Sequence, residues 1–497
     1  MKNPTDNNKA LTGIWGLDDV LSGGLSRGSI FLLEGEPGSG KTTMALQFLL
    51  AGAAAGEKGL YITLSETEAE LRAGAKSHGW DLNGKIVVRE LIPADSLLAG
   101  DQHQTLLYAS DLELGETAQQ IFAAVEQAQP KRLVIDSLSE IRLLAQSSLR
   151  YRRQILTIKH HFARRNITVL MLDDLTSEAN DKTVHSIAHG VVQLQQIAPD
   201  YGAERRRMRI LKYRGTRYRG GFHDMTIATG GVNVFPRLVA AEHRTKFARH
   251  AIPTGIKPFD DLLGGGIDTG SSTLVIGPAG TGKSLIAITF ALAAVKRGEK
   301  AALFIFDEEL GLLFDRMLGL GLDLEGARER GQLLIEQIDA AELSPGEFSH
   351  RVRKTVDEHA IKTVIIDSLN GYQAAMPAEN SLILHIHELL QYLNRQGAAT
   401  FLTMAQHGLL GQMATTIDIT YLADSVLLLR YFEALGEVRR AMSCIKKRTG
   451  SHETTIREYH IGDGGLTVDE PLTGLQGVLN GVPHILGRNG AGAHEGA

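Results

Sequence analysis

Gly35-Glu36-Pro37-Gly38-Ser39-Gly40-Lys41-Thr42 and Gly277-Pro278-Ala279-Gly280-Thr281-Gly282-Lys283-Ser284 both fit the pattern G-x-x-x-x-G-K-[ST]. Each follows an apolar run, Ser29–Glu34 or Ser272–Ile276, and each opens a helical pattern, Thr42–Ala55 or Ser284–Val295. That strand–loop–helix context is what the phosphate-loop motif requires. Glycine permits positive φ, so consecutive N–H groups can wrap phosphate oxygens, and the helix N-terminus adds partial positive charge. Lys41 and Lys283 are then expected on the β- and γ-phosphates, with the hydroxyls of Thr42 and Ser284 on magnesium. Gly38, Ser39, Gly40 and Thr43 complete the first predicted cradle, and Gly280, Thr281 and Gly282 the second. ATP and Mg2+ are the expected cofactors. A single match allows a glycine-rich turn with an accidental lysine; two matches in register argue against it.

Working outward, the whole surrounding chain repeats. Thr12-Gly13-Ile14-x-x-Leu17-Asp18-Asp19-Val20-Leu21-x-Gly23-Gly24-Leu25 returns as Thr254-Gly255-Ile256-x-x-Phe259-Asp260-Asp261-Leu262-Leu263-x-Gly265-Gly266-Ile267, 242 residues later. The same offset relates the two phosphate loops. It shrinks to 231 at Ile135-Asp136-Ser137-Leu138 and Ile366-Asp367-Ser368-Leu369, and is 234 between Lys212 and Lys446. The first copy therefore carries extra residues between its loop and its aspartate, and the polar, poorly periodic stretch Ala99–Thr117 is where they are expected. A period this long means duplicated domains rather than a solenoid. The boundary is expected near Ala240–Ile252, giving domains over 1–245 and 246–486, with 487–497 a Gly/Ala-rich tail expected to be disordered.

Each copy alternates strand and helix. The first reads as strands Leu60–Leu64, Arg132–Ile135 and Ile167–Leu172 with helices Ala118–Gln129 and Tyr151–Arg164. The second reads as strands Ala301–Phe306, Lys362–Ile366 and Thr400–Met404 with helix Leu382–Asn394. Continuous apolar strands between helices predict an α/β fold: two tandem P-loop domains with mostly parallel sheets and helices on both faces. Antiparallel additions are expected at Gly190–Ile197, Arg207–Tyr213 and Thr226–Ala228.

Further residues join the loops. Asp136 ends Leu133-Val134-Ile135 and Asp367 ends Val364-Ile365-Ile366; a carboxylate at the carboxyl edge of a buried strand can hold magnesium through water. Alone such an aspartate is more often a turn or helix cap, but it recurs. Glu66, and Glu308 with Asp307 as companion, follow the second strand and are the expected water-orienting groups. Copy one has Ser65 where copy two has Asp307, so unequal turnover is expected. Finally, Lys212 and Arg214, near Thr216, and Lys446 and Arg448 form basic pairs that could reach a phosphate on a neighbouring subunit in the arginine-finger manner. A charge-guarded strand edge is the bland alternative.

Composition limits the functions available. The 497 residues carry a net charge of −5, with 43% hydrophobic and 22% charged residues. Net negative charge argues against coating nucleic acid, and no membrane partner is expected: the longest apolar stretch, Leu285–Val295, is too short to span a bilayer. A single cysteine, Cys444, excludes an intramolecular disulfide and suits a reducing, cytoplasmic setting. Met1–Ala10 lacks the apolar segment of a secretory signal.

With these residues in hand, the chain resembles the KaiC-like family within the RecA-like P-loop ATPases. Lys212-Tyr213-Arg214-Gly215-Thr216, His452-x-x-x-Ile456-Arg457-Glu458-Tyr459 and Gly477-Val478-Leu479-Asn480-Gly481-Val482-Pro483 add to the resemblance, which covers about Leu11 to Pro483. The resemblance implies a hexameric ring of two tiers with ATP between adjacent subunits, a slow ATPase in the first tier, and Ser/Thr autokinase activity with its reversal in the second. It implies that the family's paired catalytic glutamates fall on Ser65-Glu66 and Asp307-Glu308, and that the family's adjacent Ser-Thr phosphorylation pair falls on Thr420 and Tyr421. Thr420 is thus the candidate acceptor, with Thr415 or Thr416 nearby. Two other readings stay open at this stage: a DNA-dependent ATPase, on the basic runs Glu204–Arg207 and Arg214–Arg219, and a nucleotide-dependent scaffold with little turnover.

Overall fold

The computed structural model describes residues 8–91, 106–175, 183–199, 202–374, 379–406, 419–480 and 484–485. The chain divides into two compact units, Met1–Arg237 and Leu238–Ala497, a division that falls just before the basic stretch read as a boundary from sequence. The expected tail at 487–497 and the acceptors Thr415 and Thr416 lie outside the described residues.

The first unit is built on a nine-stranded sheet. Its strands lie in the spatial order Gly231–Phe235, His223–Ala228, Arg205–Tyr213, Gly190–Ile197, Ile30–Gly35, Thr168–Asp174, Arg132–Asp136, Gly59–Thr63 and Ile86–Glu90. The last six run parallel and the first three add on antiparallel. The period-two strand pattern splits between two cores. Phe31 and Leu33 pack with Met44, Phe48 and Tyr61 on one face, whereas Ile30 and Leu32 pack with Ile155, Ile158 and Phe162 on the other. A sheet buried on both faces reads as an unbroken apolar run, which is why these strands stand out in the sequence.

The second unit repeats this plan in the order Leu333–Gln337, Ala301–Ile305, Thr363–Asp367, Ala399–Ala405, Ser272–Gly277, Ser425–Ala434, Glu437–Lys447, Arg457–Gly462 and Gly465–Pro471. Val275, Leu303 and Ile305 face one core while Leu274, Ile276, Ala302 and Phe304 face the other. These are two tandem RecA-like α/β P-loop domains.

Three sequence expectations need correction. Gly190–Ile197 is not an antiparallel addition: it pairs parallel with the phosphate-loop strand and antiparallel only with Arg205–Tyr213. The short helix Thr183–Ile187 intervenes before it, so the sheet reverses direction one strand later. The helix expected at Ala118–Gln129 starts earlier and runs Leu106–Ala128, taking in part of the stretch read as poorly periodic; Leu114 on it is buried in the core. It has 23 residues against 15 for Pro345–His359 in the second domain, so extra length of the first copy is helical. Finally, Ile86–Glu90 and Leu333–Gln337 are edge strands not foreseen; only part of each is buried, so neither gives an apolar run.

Candidate nucleotide sites

The phosphate loops stand at the carboxyl edge of the central strands. Gly38 and Gly40 have φ of 79° and 100°, and Gly280 and Gly282 have 78° and 89°, the left-handed region that glycine enters without penalty. Gly40 and Gly282 are the N-caps of the 14-residue helices Lys41–Ala54 and Lys283–Lys296. Neither cap position supplies a side-chain hydrogen bond, so the first-turn N–H groups are left to face the loop. In the first loop the buried hydroxyl of Ser39 finds no hydrogen-bond partner among the described residues. Undercapped helix N-termini behind glycine-rich loops fit a nucleotide's phosphates.

The two lysines are turned into their loops. Lys41 Nζ donates to Gly35 O at 2.8 Å and Glu36 O at 3.0 Å, and pairs with Asp174 at 2.6 Å. Lys283 Nζ donates to Pro278 O at 2.8 Å, and burial lowers its pKa. Thr43 meets His78 Nε2 at 3.4 Å, and Thr281 donates to Pro278 O at 2.8 Å.

Asp136 and Asp367 end their strands beside these loops. Thr42 Oγ1 lies 3.4 Å from Asp136 Oδ2, which also accepts from Tyr61 at 2.5 Å. Asp367 accepts from Thr403 and from Ser284. Burial raises the pKa of both carboxyls; Asp174 adds to the rise at Asp136, and Asp307 and Glu308 add to it at Asp367. Hydroxyl plus carboxylate is a hard-oxygen donor set, which suits magnesium completed by phosphate oxygens and water.

The expected water-orienting groups differ between copies. Glu66 sits where burial raises its pKa, reinforced by Asp136, Glu70 and Asp174. Glu308 is held by Arg316 through two hydrogen bonds of 3.0 and 2.6 Å, and Asp307 accepts from Ser368 at 2.5 Å.

The basic pairs do not join their own domain's phosphate loop. Lys212 pairs in register with Val191, which lies beside Leu32, three residues before Gly35. Lys446 pairs with Val426, which lies beside Leu274, three residues before Gly277. At about 3.3 Å per residue each pair stands roughly 10 Å or more back from the loop, toward the opposite edge of the sheet. There Lys212 donates to Ala188 O at 2.8 Å and Arg214 to Ser186 O at 2.7 Å. Lys446 likewise donates to Thr420 O at 2.8 Å and Arg448 to Tyr421 O at 2.7 Å. Thr216 accepts from Lys9 at 3.2 Å.

Within the two basic runs offered for DNA, Glu204–Arg207 and Arg214–Arg219, the side chains of Arg206, Arg207, Arg214 and Arg219 are engaged within the chain. Arg206 donates to Gly38 O, Arg207 and Arg209 to Gln195 and Gln193, and both of the latter guanidiniums lie over Phe222. Sequence reasoning missed Tyr61, Arg316 and Asp174. The first two lie outside any motif. Asp174 follows the strand read as Ile167–Leu172, which in fact extends to the sheet edge at Asp174.

A family model described as "ATPase: KaiC" matches residues 10–239 and again 252–473. The chain belongs to the KaiC ATPase family. A circadian clock oscillator protein KaiC from Acaryochloris marina is 28% identical over 97% of this chain and 92% of its own length. The circadian clock protein KaiC3 from a Synechocystis species is 29% identical over 96% of this chain and 94% of its own. An oscillator protein KaiC from Parathermosynechococcus lividus is 29% identical over 96% and 88%. Both halves are thus KaiC ATPase domains, which implies ATP binding. Among the described residues no helix is long and apolar enough to cross a membrane.

Proposed function

We propose that this KaiC-family chain assembles a homo-hexameric ring that binds Mg·ATP at both phosphate loops and hydrolyses it. In this reading Gly38 to Thr43 and Gly280 to Ser284 hold the phosphates, Thr42 with Asp136 and Ser284 with Asp367 hold magnesium, and Glu66 and Glu308 orient water. Magnesium, when bound, neutralises charge on the phosphates and stabilises the leaving group. Glu66, its pKa raised by burial and by the neighbouring carboxylates, is made a stronger base for accepting a proton from water. Glu308 must first leave Arg316.

The observation that carries the ring is the placement of Lys212/Arg214 and Lys446/Arg448, set back from their own loops in both domains. A cation needed at the γ-phosphate must then come from a neighbouring copy, in a heterologous interface that closes on itself. The tested outcome is size: light scattering with and without Mg·ATP should show a nucleotide-dependent oligomer, and a monomer in both states would remove the trans-acting pair.

The same geometry supports autokinase activity in the second domain. Thr420 precedes the strand Ser425–Ala434, whose start pairs with Thr273 at the edge opposite the phosphate loop. Its hydroxyl would therefore receive phosphate from a neighbour's ATP, leaving ADP. Intact mass after incubation with Mg·ATP should rise by one phosphate, and Thr420→Ala should abolish the gain. ATP consumption without added mass would leave an ATPase ring alone, a cytoplasmic machine signalling by nucleotide-driven shape.

A further inference from the structure

We propose that Asp174 is an electrostatic latch on the phosphate-loop lysine of the first domain, a carboxylate that competes with nucleotide phosphate for Lys41. The proposal rests on the nucleotide-site reading above and assigns the first site a regulation that the second lacks.

The ammonium of Lys41 is buried, 8% exposed, and so has few routes to water. Two of its described contacts are backbone carbonyls; the third is the Asp174 carboxylate at 2.6 Å. Asp174 is held in place from its own backbone: its N–H donates to Ser139 Oγ, and it stands opposite Gly35 in the parallel pairing. Its carboxylate is the anion paired with the ammonium that a β- or γ-phosphate would take. A carboxylate and a phosphate cannot both take the ammonium at full strength, and their like charges repel. Asp174 also contributes to the raised pKa of Asp136 and of Glu66, so its negative field extends across the site.

The second domain has the same backbone, and among its described residues no carboxylate pairs with Lys283 as Asp174 pairs with Lys41. Ala405 stands opposite Gly277 as Asp174 stands opposite Gly35. Its N–H donates to Asn370 Oδ1, and Asn370 follows Ser368-Leu369 as Ser139 follows Ser137-Leu138. The equivalence is therefore one of position and hydrogen bonding, with only the carboxylate removed. ATP entering the first site must open an ion pair that has no counterpart among the described residues of the second.

The test isolates one site at a time in the full-length protein. With Lys283→Ala silencing the second loop, a non-hydrolysable Mg·ATP analogue is titrated calorimetrically against this background and against Lys283→Ala/Asp174→Asn. The latch predicts binding tighter by roughly three- to thirty-fold in the double variant, as expected for removing a competing, partly buried ion pair. It also predicts a lower KM with kcat changed less. A reciprocal pair, Lys41→Ala and Lys41→Ala/Ala405→Asp, should show weaker binding at the second site, so the proposal does not depend on one variant folding. Unchanged affinity in both pairs overturns the latch. Weaker binding after Asp174→Asn overturns it in favour of a group that supports the nucleotide. If neither Lys283→Ala nor its double variant binds the analogue, the nucleotide-site reading itself falls, and the latch with it.

Discussion

At the scale of single residues, the site divides into what the motif declares and what only a folded sheet can bring together. Lys41→Ala and Lys283→Ala are each expected to remove nucleotide binding from one domain, halving the calorimetric stoichiometry; loss of all binding in either would refute independent sites. Glu66→Gln should lower first-domain turnover by roughly 10²–10⁴-fold with binding retained, the range of a positioned general base. Asp367 supplies a pH prediction. Burial raises its carboxyl above the usual 3.8, so the folded state binds the proton more tightly than the unfolded one. Stability from this group is then full below 3.8 and is lost as pH rises through the raised value. Asp367→Asn should flatten that slope and raise the nucleotide-free thermal midpoint at neutral pH while ending turnover at the second site. A lower midpoint would mean that the hydrogen bonds from Thr403 and Ser284 outweigh the burial of charge. The loops, Asp136 and Asp367 were legible because each sits at a fixed offset within a repeat. Asp174 was not, because its meaning lies in register: it meets Lys41 across a parallel strand pair from far along the chain.

At the scale of elements, the two phosphate-loop helices look interchangeable in sequence and are not. In the first domain Arg132 is buried beneath the helix, 2% exposed, bonded to Glu57, Leu11 O and Phe48 O. Gly52 makes room for it: a Cβ there would lie 2.4 Å from Arg132 Cδ. In the second domain the equivalent positions are Ala294 and Thr363. Gly52→Ala is therefore expected to destabilise the first domain by about 1–3 kcal/mol through overpacking, despite alanine's better helix propensity. Ala294→Gly should cost the second domain about 0.5–1 kcal/mol. Denaturant titration of each variant measures both; a stabilising Gly52→Ala would show that Arg132 can move aside. The central strands were readable because burial on both faces makes them continuously apolar. The parallel pairing of Gly190–Ile197 was hidden, since its sequence gives no direction, and the edge strands were hidden because partial burial leaves no run.

At the scale of the whole molecule, the trans-acting reading proposed for the set-back basic pairs predicts that a folded chain lacks part of each site it builds. Subunits carrying Lys283→Ala have intact Lys446 and Arg448 but a dead second loop; subunits carrying Arg448→Ala have the reverse. Each alone should be inactive at the second tier. Mixed in equal amounts and allowed to reassemble, they should recover about a quarter of its turnover, the fraction of ring interfaces that join a sound loop to a sound pair. No recovery on mixing would place the basic pair's work within its own chain. Two domains could be counted from the repeat alone. The number of chains could not, because closure of a ring depends on the angle between surfaces rather than on any residue pattern.

The Gly52–Arg132 fit also bears on how a duplicated gene can age. Tandem copies are exposed to recombination that overwrites one half with the other. A conversion tract carrying only the second helix into the first half would set an alanine methyl against a pinned guanidinium. A tract carrying only the second half's strand would replace Arg132 with threonine and leave Glu57 without that partner. A tract spanning both helix and strand would avoid both mismatches. Glycine and arginine are thus a matched pair, and an exchange between the halves that splits them is disfavoured.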